Sequence, residues 1–200
     1  DKIIQLPFMM PMGQYNKGKY VSDLLKQIGF IEDEDQFEEQ IDRILAHTIG
    51  GNPRSLKRLV NSLALINIFS KIDANADGIK EDEDSDDTED LLLFSLVCLQ
   101  ISYPDIYELL TSNPDFPKWN NETAFEITKK SEEKDKEIFN HDFEIVAKHA
   151  NFKEDWQKAL FRICYPKPRY RARVADISKF FRYIRDNEIF CSASKIGRAH

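Results

Sequence analysis

The stretch Asn52-Pro-Arg-Ser-Leu-Lys-Arg-Leu-Val-Asn-Ser-Leu-Ala-Leu-Ile66 constrains the fold more than any other. Asn is favoured at a helix N-cap and Pro at the first helical position, so the helix start is fixed locally. Leu56, Leu59, Val60, Leu63 and Ile66 then recur at helical spacing and form one apolar stripe that has to be buried against other elements. The same period runs through Val21, Leu24, Leu25 and Ile28, closed by Gly29 as a left-handed stop. It returns in Phe37, Ile41, Ile44, Leu45 and Ile49, closed by Gly50-Gly51, where Asp35 and Glu38 make a capping box. Further helices are predicted at 90–102, after Pro104, and at 122–130, 135–149, 153–164 and 174–187. Ile138, Phe139, Phe143, Ile145, Val146 and Ala150 mark the apolar pattern of 135–149. The fold class that follows is all-α, with one short N-terminal strand at residues 3–8 ended by Pro7.

Hydrophobic residues at 42% and aromatics at 12% of 200 residues place the chain among globular proteins with sizeable cores. The longest apolar run, Leu91 to Ile101, falls well short of the roughly 20 residues of a membrane span and reads as a buried helix. Cys98, Cys164 and Cys191 are odd in number and far apart, which fits reduced thiols in a cytoplasmic protein, the first two as small core residues. The net charge of −7 is a local property: ten acids and one lysine between Asp73 and Asp90 supply −9, leaving +2 elsewhere. That acidic stretch is the expected linker, dividing the chain into 1–72, 73–90, a helical lobe at 91–190 and a small polar tail at 191–200. The chain begins without Met inside a strand-like run, which suggests a piece of a longer protein.

Four stretches are candidate sites. Gly13 to Tyr20 matches seven of the eight positions of the phosphate-cradling pattern G-x-x-x-x-G-K-[ST], but Tyr20 stands where a Mg²⁺-binding hydroxyl is needed. In the second, Arg54, Lys57 and Arg58 share a face over the first two turns of their helix. The macrodipole disfavours cations there by about 0.3–1 kcal/mol each, so the pattern reads as an anion site. The competing reading is a solvated face or ion pairs with the Glu-rich helix before it. Third, Asp73, Asn75, Asp77, Gly78 and Asp84 imitate an EF-hand loop. Lys80 at position eight and Asp84 at position twelve depart from it, so a solvated acidic loop is expected rather than calcium binding. Fourth, Lys167, Arg169, Arg171, Arg173, Lys179, Arg182 and Arg185 face one acid, Asp176, between residues 165 and 185. With Tyr165, Tyr170 and Tyr183 interleaved, they suit nucleic acid or an acidic protein surface. Docking against the chain's own acids is the alternative.

The N-terminal Asp1-Lys-Ile-Ile-Gln-Leu-Pro-Phe8 together with Gly51-Asn-Pro-Arg-Ser-Leu-Lys-Arg-Leu-Val-Asn61 resembles the later part of KAP-type P-loop ATPases, relatives of the AAA+ and STAND groups. The resemblance covers roughly residues 1–66. It implies a helical lid closing over ATP and Mg²⁺ held by an upstream P-loop core, which is the lid's partner. Arg54 would be a sensor-2-like arginine near the γ-phosphate, with Lys57 or Arg58 as helpers. Walker A and Walker B are absent here, so the resemblance implies a fragment without catalysis or cofactor of its own, from a parent ATPase. It also makes Gly13 to Tyr20 a connector. No catalytic centre can be picked out: His47, His141, His149 and His200 lie at no metal-ligand spacing with the cysteines or one another.

Overall fold

The computed structural model describes residues 16–31, 37–77, 87–128 and 136–187, and among them the chain is helical with no strand. The predicted strand at 3–8, Asp35, Asp84 and the tail at 191–200 lie outside these residues. The chain divides into two compact units, residues 1–102 with 184–200, and residues 103–183.

The first unit contains α1 (Lys17–Gln27), α2 (Glu38–His47), α3 (Pro53–Asp77) and α4 (Asp87–Ser102). Asn16 caps α1, its Oδ1 accepting the Lys19 N–H at 3.1 Å. Gly29, at φ 69°, ends α1 as expected. Its N–H donates to the Lys26 carbonyl at 2.9 Å and that of Phe30 to Leu25 at 2.9 Å, the paired bonds of a Schellman motif. Asn67 of α3 adds a tertiary cap, its Nδ2 donating to the carbonyls of Ile28 at 2.9 Å and Gly29 at 3.0 Å. The start of α2 differs from expectation: Phe37 occupies the N-cap and makes no side-chain capping bond.

Gly18 sits where α1 meets α2. A Cβ there would lie 2.7 Å from the Glu38 carbonyl oxygen and 2.9 Å from the Asp42 Cβ. This glycine of the near-match phosphate loop therefore has a packing reason. Helix propensity alone would make Gly18→Ala favourable by up to about 1 kcal/mol. The clash is with backbone, which cannot swing aside, so the substitution is expected to cost about 1–3 kcal/mol net. A raised urea midpoint for Gly18→Ala would contradict this packing account.

The division between the two compact units falls after Ser102. The helix α4 packs with α2 and α3. Leu91, Leu92, Phe94, Val97, Cys98 and Leu99 are all buried, as befits a helix apolar around its whole circumference. The helix α3 also continues through Asp77. Residues 73–77 are therefore helical, where the acidic loop is expected to begin at Asp73, and Gly78 to Asp84 lie outside the described residues.

The second unit contains α5 (Pro104–Ser112), a short 3-10 turn (Phe116–Lys118), α6 (Asn121–Thr128), α7 (Lys136–Ala150), α8 (Asp155–Cys164), α9 (Pro168–Arg171) and α10 (Val174–Asp186) through Tyr183. Its core is aromatic. Phe116 meets Trp156 at 5.3 Å and Phe181 at 4.9 Å between ring centroids, and Trp119 meets Phe181 at 5.5 Å. Both indoles are satisfied, Trp119 donating to the Asn113 carbonyl at 3.0 Å and Trp156 to Glu154 at 2.9 Å. The buried Gln157 donates to Ser178 at 3.2 Å and accepts the Lys153 N–H at 2.6 Å, tying α8 to α10. On α7, Phe139 is buried as its spacing predicts, whereas Ile138 and Ile145 are exposed.

Candidate anion site at the start of the third helix

The turn from α2 into α3 is built by two glycines. Gly50 takes φ 66°, and its N–H donates to the Leu45 carbonyl at 2.6 Å, closing α2. Asn52 then caps α3 as the sequence predicts, its Oδ1 accepting from the N–H groups of Arg54 at 3.1 Å and Ser55 at 3.4 Å. Pro53 has no N–H, and the Leu56 N–H bonds the Asn52 carbonyl at 3.0 Å. The first amides of α3 are thus already occupied. An anion at this helix start would be held by side chains and the helix dipole rather than by a ring of free N–H groups.

Those side chains are cations. Leu56, Leu59 and Leu63 are buried and turn the opposite face, with Arg54, Lys57 and Arg58, outward. None of the three cations makes an ion pair among the described residues. Two of the three acids of α2 are engaged otherwise: Glu39 pairs with Arg43 at 2.5 Å, and Glu38 accepts from the Asn16 side chain. The structure adds a fourth cation that sequence reasoning did not join to this site. The Lys17 side chain crosses Gly51, its Cε 3.1 Å and its Nζ 3.3 Å from where a Cβ on Gly51 would stand. A Cβ at Gly51 would press against the flexible end of this lysine. The near-match phosphate loop and the Asn-Pro-Arg helix start are brought together here through Lys17, a tertiary contact with no sequence signal.

The basic stretch of the second unit is placed differently. Lys167 pairs with Asp105 at 2.5 Å and lies over the Tyr170 ring at 5.3 Å. Tyr170 is buried, with its hydroxyl donating to the same Asp105. Arg171 lies over Tyr165 at 4.9 Å, and Tyr165 donates to Asp142 at 2.9 Å. Arg173 pairs with Asp176 at 2.9 Å and stands 5.8 Å from the Tyr103 ring centroid. Arg182 donates to the Asn151 carbonyl at 3.5 Å. Arg169 is exposed and makes no ion pair among the described residues. Most of this segment's cations and two of its tyrosines thus hold the unit together. Phe180, Phe181 and Ile184 are buried, as their spacing predicts. A groove of about 470 Å³ runs beside Asp105, Glu108, Ser112, Pro166 and Lys167.

The titrating groups here set a pH dependence. Lys167 and Tyr170 hold Asp105 below the usual carboxylate range. Its contribution is present above the unfolded value near pH 4 and lost as pH falls through the folded value, and it is small because the carboxylate is half-exposed. Burial pushes Tyr103, Tyr170 and Cys164 up to about 12. In each case the folded state holds a proton that the unfolded chain releases. Stability is complete below the unfolded values near 9–10 and falls as pH rises through 12. The urea midpoint is expected to fall steadily from about pH 9 to 12; a flat midpoint over that range would contradict the buried placement of these groups.

Among the described residues no group of three or more His, Cys, Asp or Glu side chains could hold a metal ion, and no helix is long and apolar enough to cross a membrane. Both Cys98 and Cys164 are fully buried free thiols, the burial raising their pKa values. No known protein family, curated protein or solved structure matches this chain.

Proposed function

We propose that this chain is the helical lid and regulatory region of a KAP-like P-loop ATPase, closing over a nucleotide held by a core upstream of it. The observation that carries the reading is the placement of Arg54, Lys57 and Arg58, exposed and without ion pairs among the described residues, on the first two turns of α3. Cations there oppose the helix dipole, and nothing described within the unit offsets them. A phosphate does. The guanidinium of Arg54 donates to γ-phosphate oxygens in a fixed fork, and Lys57, Arg58 and Lys17 add positive potential. As charge builds on the transferring phosphoryl group, this contact strengthens, linking hydrolysis to lid position.

In this reading the chain supplies a sensor and not a nucleotide pocket. Calorimetric titration with ATP is expected to show no Mg²⁺-dependent binding to this chain alone, because Tyr20 cannot supply the metal-binding hydroxyl. Clear Mg²⁺-dependent binding would make Gly13 to Tyr20 a working phosphate loop and replace the lid reading.

A further inference from the structure

The outer face of α3 carries more than the cations at its start. Leu65, Ile68, Phe69 and Ile72 are 56%, 54%, 61% and 56% exposed, four large apolar side chains on two successive turns. Contiguous exposed apolar patches on a monomer mark interaction surfaces. Here the patch has a period. Leu65, Ile68 and Ile72 have the three- and four-residue spacing of an a/d seam, and the same face continues toward the start of α3 through Asn61, Arg58 and Arg54. This seam faces away from Leu56, Leu59 and Leu63, which fill the core. It is basic in its first half and apolar in its second.

We infer that this face of α3 docks an amphipathic helix of a partner protein, one that carries an apolar a/d seam over Leu65–Ile72 and acidic residues against Lys57 and Arg58. Leu65, Ile68 and Ile72 keep the a/d spacing along one face of α3, a spacing that the seam of a docked helix matches. The charge selects the partner. A second copy docked in parallel would bring Arg58 against Arg58. Docked antiparallel, it would lay cations on the apolar turns and leave them uncovered. The chain's own acidic stretch from Gly78 to Asp90 has a single large apolar residue, Ile79, and cannot cover the patch. A membrane surface suits an apolar face flanked by cations along its length, whereas here the two halves succeed one another along the axis. The inference does not rest on the phosphate reading: the face from Arg58 to Ile72, with the charge of Lys57 and Arg58, carries it without nucleotide and without Arg54.

The test uses two synthetic helical peptides, each with a leucine a/d seam at one end and, at the other, either glutamates or lysines at seam and flanking positions. Fluorescence anisotropy with the whole chain at low salt is expected to show the glutamate peptide bound at least roughly tenfold more tightly than the lysine peptide, as a few exposed ion pairs would give, and weakened at high salt. Leu65→Asp with Ile68→Asp, at exposed positions and with an unchanged thermal melt, is expected to lose that binding. Lys57→Glu with Arg58→Glu is expected to invert the preference. Equal affinity for both peptides, or no binding of the glutamate peptide, would overturn the inference. So would tighter binding to phosphatidylserine vesicles than to the peptide, or self-association that Leu65→Asp with Ile68→Asp abolishes.

Discussion

Phe116→Ala is expected to destabilise the second unit by about 3–5 kcal/mol, the largest effect of any single truncation argued from this structure. Phe116 is 1% exposed, and its ring is shared by Trp119, Trp156 and Phe181. Removing it leaves a cavity walled by large, rigid rings. Such rings cannot collapse inward without breaking the bonds from Trp119 to Asn113 and from Trp156 to Glu154. Three edge-to-face contacts are lost as well, each worth about 0.5–1.5 kcal/mol beyond the buried area. Phe69→Ala is the matched control, because Phe69 is 61% exposed and its removal should stay within about 0.5 kcal/mol of the parent. Urea unfolding followed by tryptophan fluorescence reads this directly, since Trp119 and Trp156 are the chain's 2 tryptophans and both lie in this unit. A loss below about 1 kcal/mol for Phe116→Ala would mean that the aromatic cluster is not the core of the unit.

The helices with local punctuation were legible in the sequence. Asn52 and Pro53 mark the start of α3 because capping depends on neighbours within three residues. Gly29 marks the end of α1 because only a left-handed residue completes the bonds to Leu25 and Lys26. The far end of α3 was not legible: the oxygen-rich pattern beginning at Asp73 looks like a loop, yet no Gly or Pro interrupts the helix before Gly78. The partition into units was hidden for another reason. An all-apolar helix such as α4 announces that it is buried, and its composition says nothing about which neighbours bury it. Among site residues, the outward facing of Arg54, Lys57 and Arg58 follows from their positions relative to the leucine stripe. The approach of Lys17 to Gly51 is tertiary, as is the commitment of Lys167 and Tyr170 to Asp105, so neither leaves a trace in local spacing.

The phosphate reading makes two linked demands on Arg54, and they have opposite signs. In the fold the guanidinium is exposed, makes no ion pair among the described residues and opposes the α3 dipole. Arg54→Ala should therefore leave stability unchanged or raise it by up to about 1 kcal/mol. In catalysis the same side chain would meet charge that develops on the transferring phosphoryl group. Removing one such donor typically costs about 100- to 1,000-fold in turnover at saturating substrate. A residue kept for folding would behave the other way, losing stability first and activity only in proportion. Stability given up at a functional position is a common pattern, and here it would be confined to the first two turns of one helix.

The most direct measurement is the ATP turnover of Arg54→Ala at saturating ATP, in a longer protein joining this chain to the P-loop core that the proposal requires, with its urea midpoint recorded alongside. The account predicts a fall of about 100-fold or more with the midpoint unchanged or raised. Turnover equal to that of the parent protein would contradict it and remove Arg54 from the phosphate site.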